Sequence, residues 1–240
     1  MEMNILIENK FIEKLKYTKN IPNSLYKDLR HNFLFHSNKI EGSTFTSESL
    51  QDLIEHNIVK GDHTLDDVIT TVNSSYVFET VIDTLGEYLT EKYIKDLHGQ
   101  LMYNSNIHNM GLSGIYKKIP NRIIGTNSVL AQPFEVEPKM LELIEWYNNL
   151  KDITLKDLAE FHYRFEIIHP FQDGNGRIGR FILLKQILEN NLKLIIISSD
   201  TVDDYRQALK GCHNEYYKPL EQYFESLDDY KEKNKDLWSF

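Results

Sequence analysis

His169-Pro-Phe-Gln-Asp-Gly-Asn-Gly-Arg-Ile-Gly-Arg180, "HPFQDGNGRIGR", joins two apolar runs of helical period. Before it, Leu158, Phe161, Phe165 and Ile168 recur at helix spacing; after it come Ile178, Phe181, Ile182 and Leu188. The loop between these core helices has more chemistry than a connection needs. Gly174, Asn175 and Gly176 directly precede the second helix. Glycines let successive N–H groups converge, and a helix amino end adds unpaired donors and a positive dipole. Together these make an anion site. Arg177 and Arg180, three residues apart, share roughly one helix face and suit more than one phosphate. Asp173 has the wrong sign for that company unless it holds a hard cation, Mg²⁺ first among them. His169 is the group suited to carry a proton near neutral pH. Taken singly, each feature is an ordinary turn, cap or solvated ion pair. All of them within one loop describe a polyphosphate site with a metal carboxylate and a base.

The rest of the chain fits a helical frame. It has 240 residues, 41% hydrophobic and 26% charged, enough for a sizeable core. Helices are expected near 4–17, 23–41, 47–59, 65–85, 90–103, 136–150, 155–168, 175–190, 201–216 and 218–232. Thr46 or Ser47, and Ser199 or Asp200, are expected amino caps, and Asn190-Asn191 a carboxyl cap. One region breaks the pattern. Asn121, Arg122, Ile123 and Ile124, a turn through Gly125 to Ser128, then Val129, Leu130, Ala131 and Gln132 read as a small β-hairpin. Two strands alone are marginal in water, so the hairpin rests on the helices or offers an edge to an extended peptide.

The net charge of −9 disfavours generic nucleic-acid binding. No run approaches the ~18 apolar residues of a membrane span, and the amino-terminal stretch has no continuous apolar segment of signal-peptide type. Cys212 is the single cysteine, which suits a reducing compartment; the expected location is the cytoplasm, without membrane or nucleic-acid partners. A P-loop pattern is absent from the sequence.

"NFLFHSNKIEG" reads as a helix stopped by Gly42, with Glu41 in the last turn and Ser37 four residues earlier. A carboxylate there opposes the helix dipole by ~0.3–1 kcal/mol. Glu41 is then either a solvated residue that tolerates this cost or the partner of an arginine elsewhere.

The loop resembles the signature of the Fic family, His-Pro-Phe-x-(Asp/Glu)-Gly-Asn-Gly-Arg-x-x-Arg, and matches it at every fixed position. The resemblance runs from about Leu34 to Leu220. It implies a mainly α protein of the Fic fold, a helical bundle core with a short β-hairpin flap. Residues 1–90 would form a helical region with an inhibitory helix, and 91–240 the catalytic core and carboxyl-terminal helices, in one compact unit. It further implies transfer of AMP from Mg²⁺-bound ATP to a Ser, Thr or Tyr hydroxyl of a protein, the chain itself included, and a homodimer as the oligomer to test. His169 would be the base and Asp173 the Mg²⁺ ligand. Gly174, Asn175 and Gly176 would cradle phosphates; Arg177 would hold the β- and Arg180 the γ-phosphate. Asn121 to Ile124 with Val129 and Leu130 would be the target-binding flap. Ser37, Glu41 and Gly42 resemble the family's inhibitory motif, in which the glutamate pairs with the second arginine, here Arg180. Tyr205 and Leu209 resemble a nucleotide-lining pattern and equally fit core packing; His213 is either near the base or on the surface. Removal of AMP, use of another nucleotide, and a catalytically idle regulator are the alternatives.

Overall fold

Hydroxyl side chains set most helix starts in the computed structural model, which describes residues 10–122, 129–213 and 215–237. Helix α1 spans Lys10–Tyr17, α2 Leu25–Ile40, α3 Ser47–His56, α4 Leu65–Asp83, α5 Glu91–Leu101 and the short α6 Asn106–Asn109. They are followed by α7 at Pro133–Asn148, α8 at Leu155–Ile168, α9 at Asn175–Glu189, α10 at Val202–Gly211, α11 at Lys218–Ser226 and α12 at Tyr230–Lys233. Ser24, Thr46, Thr64, Thr90 and Thr154 each accept a first-turn N–H of α2, α3, α4, α5 and α8. Each cap is worth about 0.5–2 kcal/mol. Helix α9 is different: Gly174 precedes it with φ +76°, and no side chain caps it. Its amino-terminal donors are left for something else.

α9 lies at the centre of the bundle. Ile178, Phe181, Ile182, Leu183, Leu184, Ile187 and Leu188 are buried, and Phe181 meets Phe33 of α2 with centroids 4.9 Å apart. α8 packs on α7, α9 and α11, while α4 rests on α2, α5 and α9. One apolar cluster runs from Phe11 to Tyr230. Lone Cys212 is buried in it, its thiol directed at Ala208 O.

The carboxyl-terminal region departs from expectation in three places. A 3₁₀ turn, Ser199–Thr201, precedes α10, and Ser198 caps it in place of Ser199 or Asp200. α10 stops at Gly211 because His213 and Tyr216 exchange backbone hydrogen bonds across a turn. The expected helix 218–232 breaks at Leu227, and Asp229 holds the break by accepting N–H groups from both Leu194 and Lys231.

No strand ladder is present among the described residues; His213 and Tyr216 form an isolated bridge. The expected hairpin turn, with Ile123 and Ile124, lies outside those residues. Its flanks are irregular: Asn121 and Arg122 on one side, and on the other an exposed Val129 followed by a buried Leu130. The second flank is tied to α8 by Ala131 N–H to Ile167 O, 3.2 Å. No described helix is long and apolar enough to cross a membrane.

Candidate active site

The quoted loop runs from the end of α8 to the start of α9. His169 is the carboxyl cap of α8, at φ 48° and ψ 61°. A non-glycine residue in this left-handed region carries a conformational cost, and it turns the imidazole away from the helix. His169 Nδ1 lies 3.2 Å from Glu166 O, so the ring donates from Nδ1 and leaves Nε2 unprotonated. Burial, helped by the Lys117 ammonium, pushes the imidazole down to about 4. It is therefore neutral at pH 7.

Asn175 ties the loop together. Its Oδ1 accepts from Phe171 N–H at 2.7 Å and its Nδ2 donates to Phe171 O at 2.8 Å. The side chain is committed to this bracket, so a phosphate cradle can draw only on the backbone of Asn175. Replacing it with alanine leaves the buried Phe171 N–H unpaired, while Phe171 O keeps the Asn121 amide. We expect Asn175→Ala to lower the unfolding free energy by about 1–3 kcal/mol, read from urea denaturation.

Gly174 and Gly176 are required for different reasons. At Gly174 the backbone has positive φ and a Cβ would collide with Met102 Cε. At Gly176 a Cβ would collide with Glu41 Oε1 and lie 3.1 Å from an Arg180 terminal nitrogen. The Glu41 carboxylate thus rests on the bare backbone at the start of α9, where an anion is expected. Arg180, 3% exposed, donates to Glu41 Oε1 at 2.6 Å. It also donates to Ser37 Oγ and Ser37 O, both at 3.0 Å. Burial opposes the charge on Glu41, yet Arg180 and then Arg177 hold its carboxyl below the usual range. Arg177 is buried with its Nε unpartnered. Glu41 is the carboxyl cap of α2, and Gly42 follows at φ +89°.

Asp173 is exposed and accepts Gly174 N–H on Oδ1 at 2.7 Å. Among the described residues no three His, Cys, Asp or Glu side chains are grouped to hold a metal. Mg²⁺ does not need such a group: it keeps several waters and takes one or two carboxylates plus substrate phosphates. One exposed carboxylate beside an anion cradle fits that habit.

Tyr205 lies close enough to Arg180 and Glu41 to interact with both electrostatically. It is buried, with its hydroxyl 2.7 Å from His162 Nε2. Leu209 is partly buried against the core, and His213 is exposed.

Three supporting residues carry no sequence signal. His98 is fully buried and stacks on Phe171 at 3.8 Å and 3°. Its Nδ1 accepts from Gly114 N–H at 2.9 Å and its Nε2–H donates to Asp173 O at 3.1 Å. Burial pushes it down to about 3, so it stays neutral. Glu166 is buried under the site, its Oε1 unpartnered and its carboxyl pushed up to about 7 by burial. Lys117, 3% exposed, reaches the backbone beside His169.

Known proteins share the matched segment and the fold. Residues 88–187 match the Fic/DOC family. The chain is 25% identical over 210 residues to protein adenylyltransferase Fic of Nematostella vectensis, covering 81% of this chain and 46% of that one. It is 38% identical over 78 residues to a probable protein adenylyltransferase of Aquifex aeolicus, covering 32% of this chain and 24% of that one. It spans less than half the length of these curated relatives. A Fic domain containing signaling protein from Bacteroides thetaiotaomicron superposes with a TM-score of 0.74 at 23% identity, over 90% of this chain and 92% of that one. Fic-1 from C. elegans gives 0.70 at 16% identity, over 90% and 68%. The fold, the loop and the matched segment lead to one conclusion: this chain carries a Fic domain.

Proposed function

We propose that the chain is a protein adenylyltransferase, restrained by Glu41. It would transfer AMP from ATP to a Ser, Thr or Tyr hydroxyl of a protein, including one on a second copy of this chain. The observation that carries the reading is an imidazole with a free Nε2 beside an uncapped helix start that is flanked by Arg177 and Arg180. Curated relatives bearing the protein adenylyltransferase name support the nucleotide and the acceptor.

In this mechanism the hydroxyl oxygen attacks the α-phosphorus, the bond to pyrophosphate breaks, and His169 Nε2 takes the proton. Backbone N–H groups at Gly174 to Gly176, with Arg177 and Arg180, hold the phosphate oxygens and meet charge as it shifts to pyrophosphate. Asp173 would hold Mg²⁺ together with those oxygens. When bound, that cation supplies further neutralisation of phosphate charge. Such a site works mainly by placement and charge, and the base contributes typically ~10²–10⁴-fold. Ser37, Glu41 and Gly42 form the restraint: Glu41 holds Arg180 and rests where phosphate would lie. Residues 121–122 and 129–130, with Ile123 and Ile124 between them, are assigned to target binding. A reducing, cytoplasmic setting suits the single buried thiol.

The test is mass spectrometry of the Glu41→Gly chain and of lysate proteins incubated with it and ATP, with and without Mg²⁺. A mass gain of one AMP on a hydroxyl, with release of pyrophosphate, is expected only with the metal. Gain of another phosphate-containing group, or of nothing from any nucleotide, would contradict the reading.

The pH dependence follows from the His169 environment. The base acts when neutral, and a depressed value keeps it neutral further into acid. Transfer by a released variant should therefore hold through pH 6 and fall near its imidazole value of about 4. An acid limb near the ordinary histidine value of about 6.5 would contradict this.

A further inference from the structure

One residue grips the carbonyls of both residues that flank His169. The Lys117 amide N–H donates to Pro170 O at 2.8 Å, and its ammonium donates to Ile168 O at 3.2 Å. The ammonium also donates to Asn121 Oδ1 at 2.8 Å, and Asn121 Nδ2 donates to Phe171 O at 2.9 Å. The carbonyls of Ile168, Pro170 and Phe171 are thus held from one short segment outside the signature.

The position is costly. Burial pushes the Lys117 ammonium down to about 8, and its hydrogen bonds go to a carbonyl and an amide oxygen, with no carboxylate bonded to it among the described residues. A buried cation without an ion-pair partner is disfavoured unless its hydrogen bonds matter. Adjacent Lys118 is exposed, so this stretch does not need a buried charge for its fold. The strain lies in the same place. α8 fixes only the N–H of His169, to Phe165 O at 2.9 Å, while its left-handed backbone persists where the surroundings over-determine it. Those surroundings are the two carbonyls held by Lys117.

We propose that Lys117 is a positioning residue for His169, clamping Ile168 O and Pro170 O so that the imidazole keeps Nδ1 on Glu166 O and Nε2 free. This rests on His169 as the base. The Lys117 charge also acts on the ring directly and favours its neutral form, against Glu41 and Asp173, which favour protonation. Glu135 and Lys139 are the charged groups that act on Lys117.

The test uses the full chain with Glu41→Gly as parent. Lys117→Met keeps the stem and the amide donor but removes the ammonium; Lys117→Arg keeps a charged donor. Lys117→Met should lower kcat by about 10- to 100-fold with the ATP KM within about threefold, and Lys117→Arg should restore most of the rate. Nitrogen-15 NMR of the histidine rings gives a readout independent of turnover. His169 in the parent should show a single tautomer protonated at Nδ1 and titrate well below the ordinary histidine value. In Lys117→Met its midpoint should rise and the tautomers mix. Parent-like rate and ring titration in Lys117→Met would overturn the proposal. So would a lost rate with an unchanged ring that arginine fails to restore, since that pattern marks a merely structural lysine. If the Glu41→Gly parent transfers no AMP, the adenylyltransferase reading fails, and the ring titration alone decides the role of Lys117.

Discussion

Glu41→Gly is expected to raise AMP incorporation by about 10- to 100-fold at saturating Mg²⁺ and ATP. Arg180 is buried and its terminal nitrogen is taken by Glu41 Oε1 at 2.6 Å, while the carboxylate rests against Gly176. A polyphosphate entering the start of α9 must displace this contact. A hydrogen bond between charged groups is worth about 1.5–3 kcal/mol, and 1.4 kcal/mol is a factor of ten, which sets the expected range. The same substitution should lower the melting temperature, because Arg180 loses its counter-charge and keeps only Ser37. Activity that rises as stability falls separates a restraint from a general defect. Unchanged incorporation would mean that the Glu41–Arg180 pair plays no part in regulation.

His169→Ala should reduce transfer by about 10²–10⁴-fold while ATP affinity stays within about threefold. The asymmetry follows from the geometry. The groups assigned to phosphate are the α9 backbone, Arg177 and Arg180, whereas the imidazole is bonded through Nδ1 to Glu166 O and is free at Nε2. Alanine also relieves none of the left-handed strain at this position, so the loop is held as before by Asn175 and Lys117. Equilibrium binding of ATP and initial rates of labelling separate the two effects. Equal losses of rate and affinity would assign His169 to nucleotide binding.

Much of this was legible because it is local. Thr46 caps α3, Gly42 ends α2 at positive φ, and Asn190-Asn191 ends α9, each from chemistry within a few residues. The loop was legible for the same reason: its base, carboxylate, glycines and arginines are consecutive. His98, Lys117 and Glu166 were not, because their meaning comes from partners brought by folding. His98 bonds Asp173 O from 75 positions away, and in sequence it is one histidine in an ordinary helix. Tyr205 fits a spacing pattern, but its hydrogen-bond partner His162 lies 43 residues earlier and is not legible beside it. The helix ends near 211 and 227 were missed because a backbone bridge and Asp229, not local propensity, stop those helices.

In the proposed mechanism, Arg180 is the contact for which Glu41 and the terminal phosphate of ATP compete, and His169 completes the transfer. The most direct measurement is incorporation of label from α-phosphate-labelled ATP by wild type, Glu41→Gly and Glu41→Gly/His169→Ala, each incubated with Mg²⁺ and lysate. Strong label with Glu41→Gly, and little or none with the other two, is the predicted result. Equal label with wild type and Glu41→Gly, or undiminished label with the double variant, would contradict it.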